Sequence, residues 1–598
     1  MAAAGTPPRG TASNSRASRR RNGPRGRRPR SSPTVSGSLA GAALTPRAPT
    51  APRRRRAAPL WAWAAVLAAL LITAPLASVL VTAGSALLAA GGGQAWAHIL
   101  RTMLAELLVN SVLLSVLVGL MAASMGAIAA WLVSTCAFRG RAVLEVALLL
   151  PLAMPAYVCG YAYVWLLDVA GPVQEAIRAA TGLRWGQYWF PEIRSLPGAA
   201  LMLAAVLYPY VYLLCRNAFL QQSVCLLEAS RTLGHGLPRT FLHVALPMAR
   251  PALAAGIALV TMEVLADFGT VQHFAVRTFT TGIYDAWFGQ GDRPAAAQLA
   301  ACLMGVVALL LLLERLSRGG RRFHPTTTRH PPLRPVVLRG WKEAAAILAC
   351  GAPVMLGFVI PGGTLLALML QSGDPLDARR TLPFALNSLT LAGVTAVLAV
   401  LLGALLAWGN RLHPSRLRAG ANRLASLGYA LPGSVIAVGT LVPFALFDNA
   451  VDAWMRARFG ISTGLLLSGT MAALVFAYLV RFLGVALSAV ESGLTRVKPS
   501  LFAAARVLGR RPGQAVREVE LPLARGALLT AAVLVFVDTM KELPATLIVR
   551  PFDFDTLAVR VHSLASDERL AEASTSALLI VLVGLLPVIA LVRGMRKG

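Results

Sequence analysis

Ten stretches of at least twenty residues contain no Asp, Glu, Lys or Arg: 57–100, 107–138, 146–167, 195–215, 294–313, 344–373, 381–410, 424–447, 459–480 and 573–592. A hydrocarbon core about 30 Å thick takes roughly 20 apolar residues as helix, and helices are what satisfy the backbone inside it. Only the first stretch exceeds one span, and its tail, Gly91–Gly93 with Gln94, reads as loop. Two shorter apolar runs, Pro251–Met262 and Gly526–Val537, are each 12 residues long and then meet acids. They read as spans interrupted by functional charge. The predicted fold is therefore all-α and polytopic, with twelve transmembrane helices. Only 14% of residues are charged, against the quarter usual in soluble chains, which excludes a soluble globular enzyme and a disordered protein.

The net charge of +31 does not point to nucleic acid, because the basic residues lie between apolar runs rather than on one domain. The first 56 residues hold 14 arginines and no acid, so a disordered cytoplasmic tail is expected there, able to touch anionic lipid through Arg53–Arg56. With the N-terminus inside, alternation leaves 42 Lys and Arg in cytoplasmic segments against 14 outside. The positive-inside rule then puts both termini in the cytoplasm. The six cysteines form no CxxC pair, which argues against a zinc site or a disulfide framework.

The chain is a duplication. Asn110-Ser111, Gly126, Trp131 and Pro155 recur as Asn387-Ser388, Gly403, Trp408 and Pro432 at an offset of 277. Gly234, Leu246-Pro247, Arg250, Glu263 and Asp267 recur as Gly509, Leu521-Pro522, Arg525, Asp538 and Glu542 at 275. Six spans per half make the repeat parallel, with a pathway expected between the halves. The expected domains are the tail 1–56, a first half 57–314, a cytoplasmic linker 315–341 and a second half 342–598. A membrane enzyme would need a nucleophile, metal or redox constellation, and neither HExxH nor GxSxG occurs.

Two cytoplasmic loops, 221–250 and 488–525, carry a repeated pattern. The first reads Glu228-Ala229-Ser230, three residues, Gly234, nine residues, Val244-Ala245-Leu246-Pro247. The second reads Ala503-Ala504-Ala505, three residues, Gly509, nine residues, Val519-Glu520-Leu521-Pro522. Each glycine would divide its loop into two short helices, a protruding knob suited to docking a soluble partner. The pattern resembles the EAA loop of type I ABC importer permeases, and the resemblance covers about residues 60–598. It implies that the loops dock on separate ATPase subunits, as a dimer, which carry the ATP and magnesium, while this chain binds no cofactor and catalyses nothing. It also implies an extracytoplasmic substrate-binding protein as partner and a place in the bacterial inner membrane. Ala503 stands where the motif has Glu, so unequal coupling by the two loops is expected.

The fused form resembles ferric iron importers and also thiamine permeases. Glu263–Gln272, Thr278–Tyr284 and Lys541–Thr546 are similar to the ferric branch, which implies ferric iron as substrate. Thiamine, polyamine, sulfate and phosphonate remain alternatives, as does a proton-coupled secondary carrier, although a carrier has no use for a repeated docking knob. Ionisable groups inside a span mark a pathway by default, and hard trivalent iron favours carboxylate oxygen. Glu263 and Asp267, four apart, are expected on one helix face at about 18 and 24 Å from the inner end, with Asp538 and Glu542 repeating them as a four-carboxylate ring. The alternative is salt-bridge or helix-cap duty. Lys541 would supply a counter-charge and weaken the ring.

Overall fold

A computed structural model of the chain describes residues 60–88, 92–222, 224–318, 335–371, 378–495 and 497–597. The expected N-terminal tail and most of the expected linker lie outside the described residues. Eleven helices are long and apolar enough to cross a membrane. In the first half they are α1 (Trp63–Leu88), α2 (Trp96–Thr135), α3 (Ala156–Thr181), α4 (Leu196–Leu220) and α6 (Arg293–Glu314). In the second they are α7 (Trp341–Gln371), α8 (Arg380–Leu412), α9 (Gly433–Phe459), α10 (Met471–Thr495), α11 (Pro512–Met540) and α12 (Leu570–Ala590). A further pair, Leu237–Met248 and α5 (Arg250–Ala266), meets the same measure together but is bent by 77°; counted as one span, it makes twelve. The all-α, two-by-six reading holds. The helix of α6 continues to Arg318, and α10 runs to Thr495, into the segment expected as loop.

Each half is built on the same trio. Helices α2, α4 and α5 pack together, as do α8, α10 and α11. The repeated glycines explain how closely: a Cβ on Gly126 would lie 2.8 Å from Tyr208 O and Tyr212 N, and one on Gly403 would lie 3.1 Å from Leu487 N. Small residues let membrane helices approach backbone to backbone, where apolar burial gives little driving force. The leading helices cross over. Helix α1 packs on α8 and α9 of the second half, and α7 packs on α2, α3 and α4 of the first. The chain entering the second half is also fixed to the first, because Val336–Val337 pairs in parallel with Cys136–Ala137.

After α5 and after α11 the chain does not leave at once. It forms the short helices Gly269–His273 and Phe279–Tyr284 in the first half, and Pro544–Val549 and Leu557–Ser566 in the second. The repeated Asn-Ser pair anchors the second of each. Asn110 Nδ2 donates to Arg277 O at 3.0 Å and Ser111 Oγ accepts from Phe279 N at 3.2 Å. Asn387 Nδ2 donates to Asp555 O at 3.0 Å and Ser388 Oγ accepts from Leu557 N at 2.8 Å. The serine hydroxyls satisfy N–H groups that a helix start leaves open, and the asparagines hold the chain just before it.

Candidate functional site

Where α5 and α11 end, the two halves enclose a cavity. Its lining includes all four acids read from the sequence, Glu263, Asp267, Asp538 and Glu542, together with Lys541, Arg481 and the tyrosines 157, 210 and 429. The structure thus brings both acid pairs to one place between the halves. It does not arrange them as four equivalent groups on two helix faces. Helix α5 stops at Ala266 and α11 at Met540, so Asp267 and Glu542 lie just beyond their helices. The expected shared face requires a helix that continues, and the chain instead starts a new one.

Each of these two acids caps that new helix. Asp267 accepts from Thr270 N at 3.0 Å, Val271 N at 3.1 Å and Thr270 Oγ1 at 2.9 Å. Glu542 accepts from Ala545 N at 3.0 Å, Thr546 N at 3.1 Å and Thr546 Oγ1 at 2.9 Å. A carboxylate there satisfies open N–H groups and meets the positive end of the helix dipole. The cap alternative therefore describes Asp267 and Glu542 geometrically, while both also line the cavity.

The other contacts are unequal. Tyr429, from the second half, donates its hydroxyl to Glu263 Oε1 at 3.3 Å. Lys541 Nζ lies 3.0 Å from Asp538 Oδ1, and Arg481 Nη1 lies 3.4 Å from Glu542 Oε1. Gly433 makes room for the latter pair, since a Cβ there would sit 2.5 Å from Arg481 Nη1 and 2.5 Å from Glu542 Oε1. Among the described residues no group of three or more His, Cys, Asp or Glu is placed to hold a metal ion, so the acids line the cavity without converging on one point.

Next to Asp267, Phe268 opens an aromatic layer shared by both halves. Its ring lies 5.8 Å from His562, whose Nδ1 is 2.7 Å from Tyr161 Oη, and Tyr161 stacks edgewise on His273 at 4.6 Å. His273 and His562 lie beyond the crossing helices. Burial, aided for His273 by Arg194, holds both pKa values down to about 4, so both imidazoles are neutral at pH 7.

The loops take the expected shape. Helix Val224–Thr232 is followed by Gly234 at φ +81°, and Pro499–Val507 by Gly509 at φ +86°. Glu228 and Ala229 are exposed, as are Ala503 and Ala504 at the corresponding places, while Leu246-Pro247 and Leu521-Pro522 lead back toward α5 and through α11. The attachments differ. In the first half Trp131 packs on Phe219 and Phe241 at 5.5 and 5.6 Å. In the second, Trp408 Nε1 donates to Glu520 Oε2 at 2.8 Å and Arg411 Nε to Glu520 Oε1 at 2.8 Å. Arg411 also donates to Leu494 O and Val497 O at 2.7 and 2.8 Å. Sequence reasoning missed Glu520, Arg411, Arg481 and the tyrosines 157, 210 and 429. For the three charged residues the signal is a charge in one copy of the repeat with no counterpart in the other: Ala245, Ser134 and Val206 stand where Glu520, Arg411 and Arg481 do.

Two fused halves, a shared cavity with ionisable walls and a repeated, glycine-divided loop describe a multi-pass membrane transport permease. Residues 115–318 and 399–597 each match the binding-protein-dependent transport system inner membrane component family, and the chain belongs to that family, once in each half. It is 28% identical to the Fe(3+)-transport system permease protein FbpB 2 of Haemophilus influenzae, over 82% of this chain and 90% of the relative. It is 24% identical to the ferric transport system permease protein FbpB of Actinobacillus pleuropneumoniae, over 66% of this chain and 58% of the relative. The molybdenum transport system permease protein ModB of Escherichia coli is 29% identical over 34% of this chain and 88% of its own length, the extent of a single half.

Proposed function

We propose that this chain is the translocating subunit of an ATP-driven importer, carrying ferric iron delivered by an extracytoplasmic binding protein into the cytoplasm. The observation that carries the reading is the cavity between the halves, walled by Glu263 of α5, Asp538 of α11 and the two carboxylates that cap the short helices after them. Hard cations take carboxylate and phenol oxygens, and ionisable groups carried on membrane-crossing helices mark a pathway by default. The resemblance to two ferric permeases supports the same substrate. The partners are ATPase subunits, in a pair, bound at the loops around Gly234 and Gly509, which hold the ATP and magnesium. Both termini then face the cytoplasm.

Uptake of radiolabelled ferric iron by cells with and without this chain tests the reading. Asp267→Asn and Glu542→Gln are each expected to reduce uptake while the chain still inserts and still co-purifies with its ATPase. Normal uptake in the double variant would remove the carboxylates from the pathway. A second reading, an oxyanion importer, draws on Arg481 and Lys541 in the cavity and on the molybdenum permease likeness. Molybdate or sulfate uptake that depends on this chain, with none of ferric iron, would replace the first reading with the second.

A further inference from the structure

The cavity holds four carboxylates and two cations, and both cations belong to the second half. Ala266 occupies the place of Lys541 in the first copy, and Val206 that of Arg481. The carboxylates are engaged to different degrees. Asp267 and Glu542 are held as caps, and Glu542 also carries Arg481. Asp538 is paired with Lys541. Glu263 takes a single hydrogen bond, from Tyr429, and has no ion pair among the described residues. Independently of the acids, Tyr157 lines the cavity, is 5% exposed, and has a hydroxyl without a hydrogen-bond partner. An unpartnered buried hydroxyl costs desolvation energy that a bound ligand would return.

The two cations are not alike either. The Arg481 side chain is 12% exposed, set against Gly433, with its guanidinium 5.6 Å from the Phe482 ring. The Lys541 side chain is 30% exposed and ends in a compact ammonium on a flexible stem. Close carboxylates repel one another unless a positive charge intervenes. With Lys541 in place the cavity has two more carboxylates than cations; with Lys541 withdrawn the excess is three, the charge that a trivalent cation balances.

We propose that Lys541 is a resident counter-ion, which holds Asp538 while the cavity is empty and gives up that carboxylate to an arriving trivalent cation. The cation then meets Glu263, Asp538 and the phenol oxygens of Tyr157, Tyr210 and Tyr429. This rests on the cavity being the pathway of a ferric importer. Exchange of one positive charge for another lets a highly charged ion enter without leaving the cavity strongly anionic between turnovers.

Terbium(III), a hard trivalent ion whose emission is sensitised by nearby phenol rings, tests the assignment on the full-length chain in detergent micelles, with calcium present to occupy exposed acids. The wild type is expected to show saturable sensitised emission. Lys541→Met should lower the half-saturating terbium concentration at least ten-fold, and Glu263→Gln should raise it at least ten-fold. Lys541→Arg, which keeps the charge, should stay within three-fold of wild type, and thermal melting of each variant verifies its fold. Lys541→Met no tighter than wild type, Lys541→Arg as tight as Lys541→Met, or Glu263→Gln unchanged would each overturn the proposal. Parallel ferric uptake separates the two levels. Absent uptake with the terbium results intact removes only the iron reading, and intact uptake with the terbium results reversed removes only the counter-ion role.

Discussion

Glu520 has no exposed surface, yet it holds the loop around Gly509 to α8 through Trp408 and Arg411. Replacing it by alanine orphans the indole N–H and removes the only carboxylate the guanidinium contacts among the described residues. Breaking a buried ion pair from one side costs about 3–5 kcal/mol, and a hydrogen bond to a charged group about 1.5–3 kcal/mol. Arg411 keeps two carbonyl acceptors and its side chain is 21% exposed, which moves the expectation to the lower end, about 2–3 kcal/mol. Reversible unfolding in mixed detergent micelles, followed by tryptophan fluorescence, measures this loss. Glu520→Gln has one amide oxygen for two donors, so it keeps the bond from either Trp408 or Arg411 and should still lose about 1.5–3 kcal/mol. The double variant Glu520→Ala with Arg411→Met should be more stable than the sum of the single losses, because no orphaned guanidinium remains. A loss below about 1 kcal/mol for Glu520→Ala, or strict additivity in the double variant, would refute the claim that this triad anchors the loop.

Gly433→Ala should abolish ferric uptake without preventing insertion, because its methyl group displaces the Arg481–Glu542 pair from the cavity wall; uptake and membrane abundance measured together check this. Gly234→Val and Gly509→Val should each cost about 1–2 kcal/mol of backbone strain, since both glycines have positive φ and open space around them. Uptake should nevertheless fall further for Gly234→Val, whose loop carries Glu228; equal losses would mean that the Glu228/Ala503 difference has no functional weight. A cysteine placed at the exposed Ser563 should react with an impermeant thiol reagent on intact cells, and labelling only after lysis would invert the topology.

How much of this was legible in the sequence follows from which forces act locally. The crossings were readable because a bilayer demands a long uncharged helix, and no distant contact can relax that demand. The repeat was readable because its fixed points, Gly126 with Gly403 and Asn-Ser with Asn-Ser, do the same backbone work twice. The acids were readable as ionisable groups in apolar runs, but their roles were not. A spacing of four places Glu263 and Asp267 together only on an uninterrupted helix. Asp267 with Thr270, and Glu542 with Pro544 and Thr546, carry the local marks of a new helix start, which outweigh the period. Contacts across the halves, such as Tyr429 to Glu263, leave no periodic trace at all. What does leave a trace is a broken repeat. Lys541, Arg481, Arg411 and Glu520 face Ala266, Val206, Ser134 and Ala245 in the other copy, and all four enter ion pairs within the second half. Glu263 and Asp267 of the first half have no ion pair among the described residues, and both cations of the cavity come from the second half.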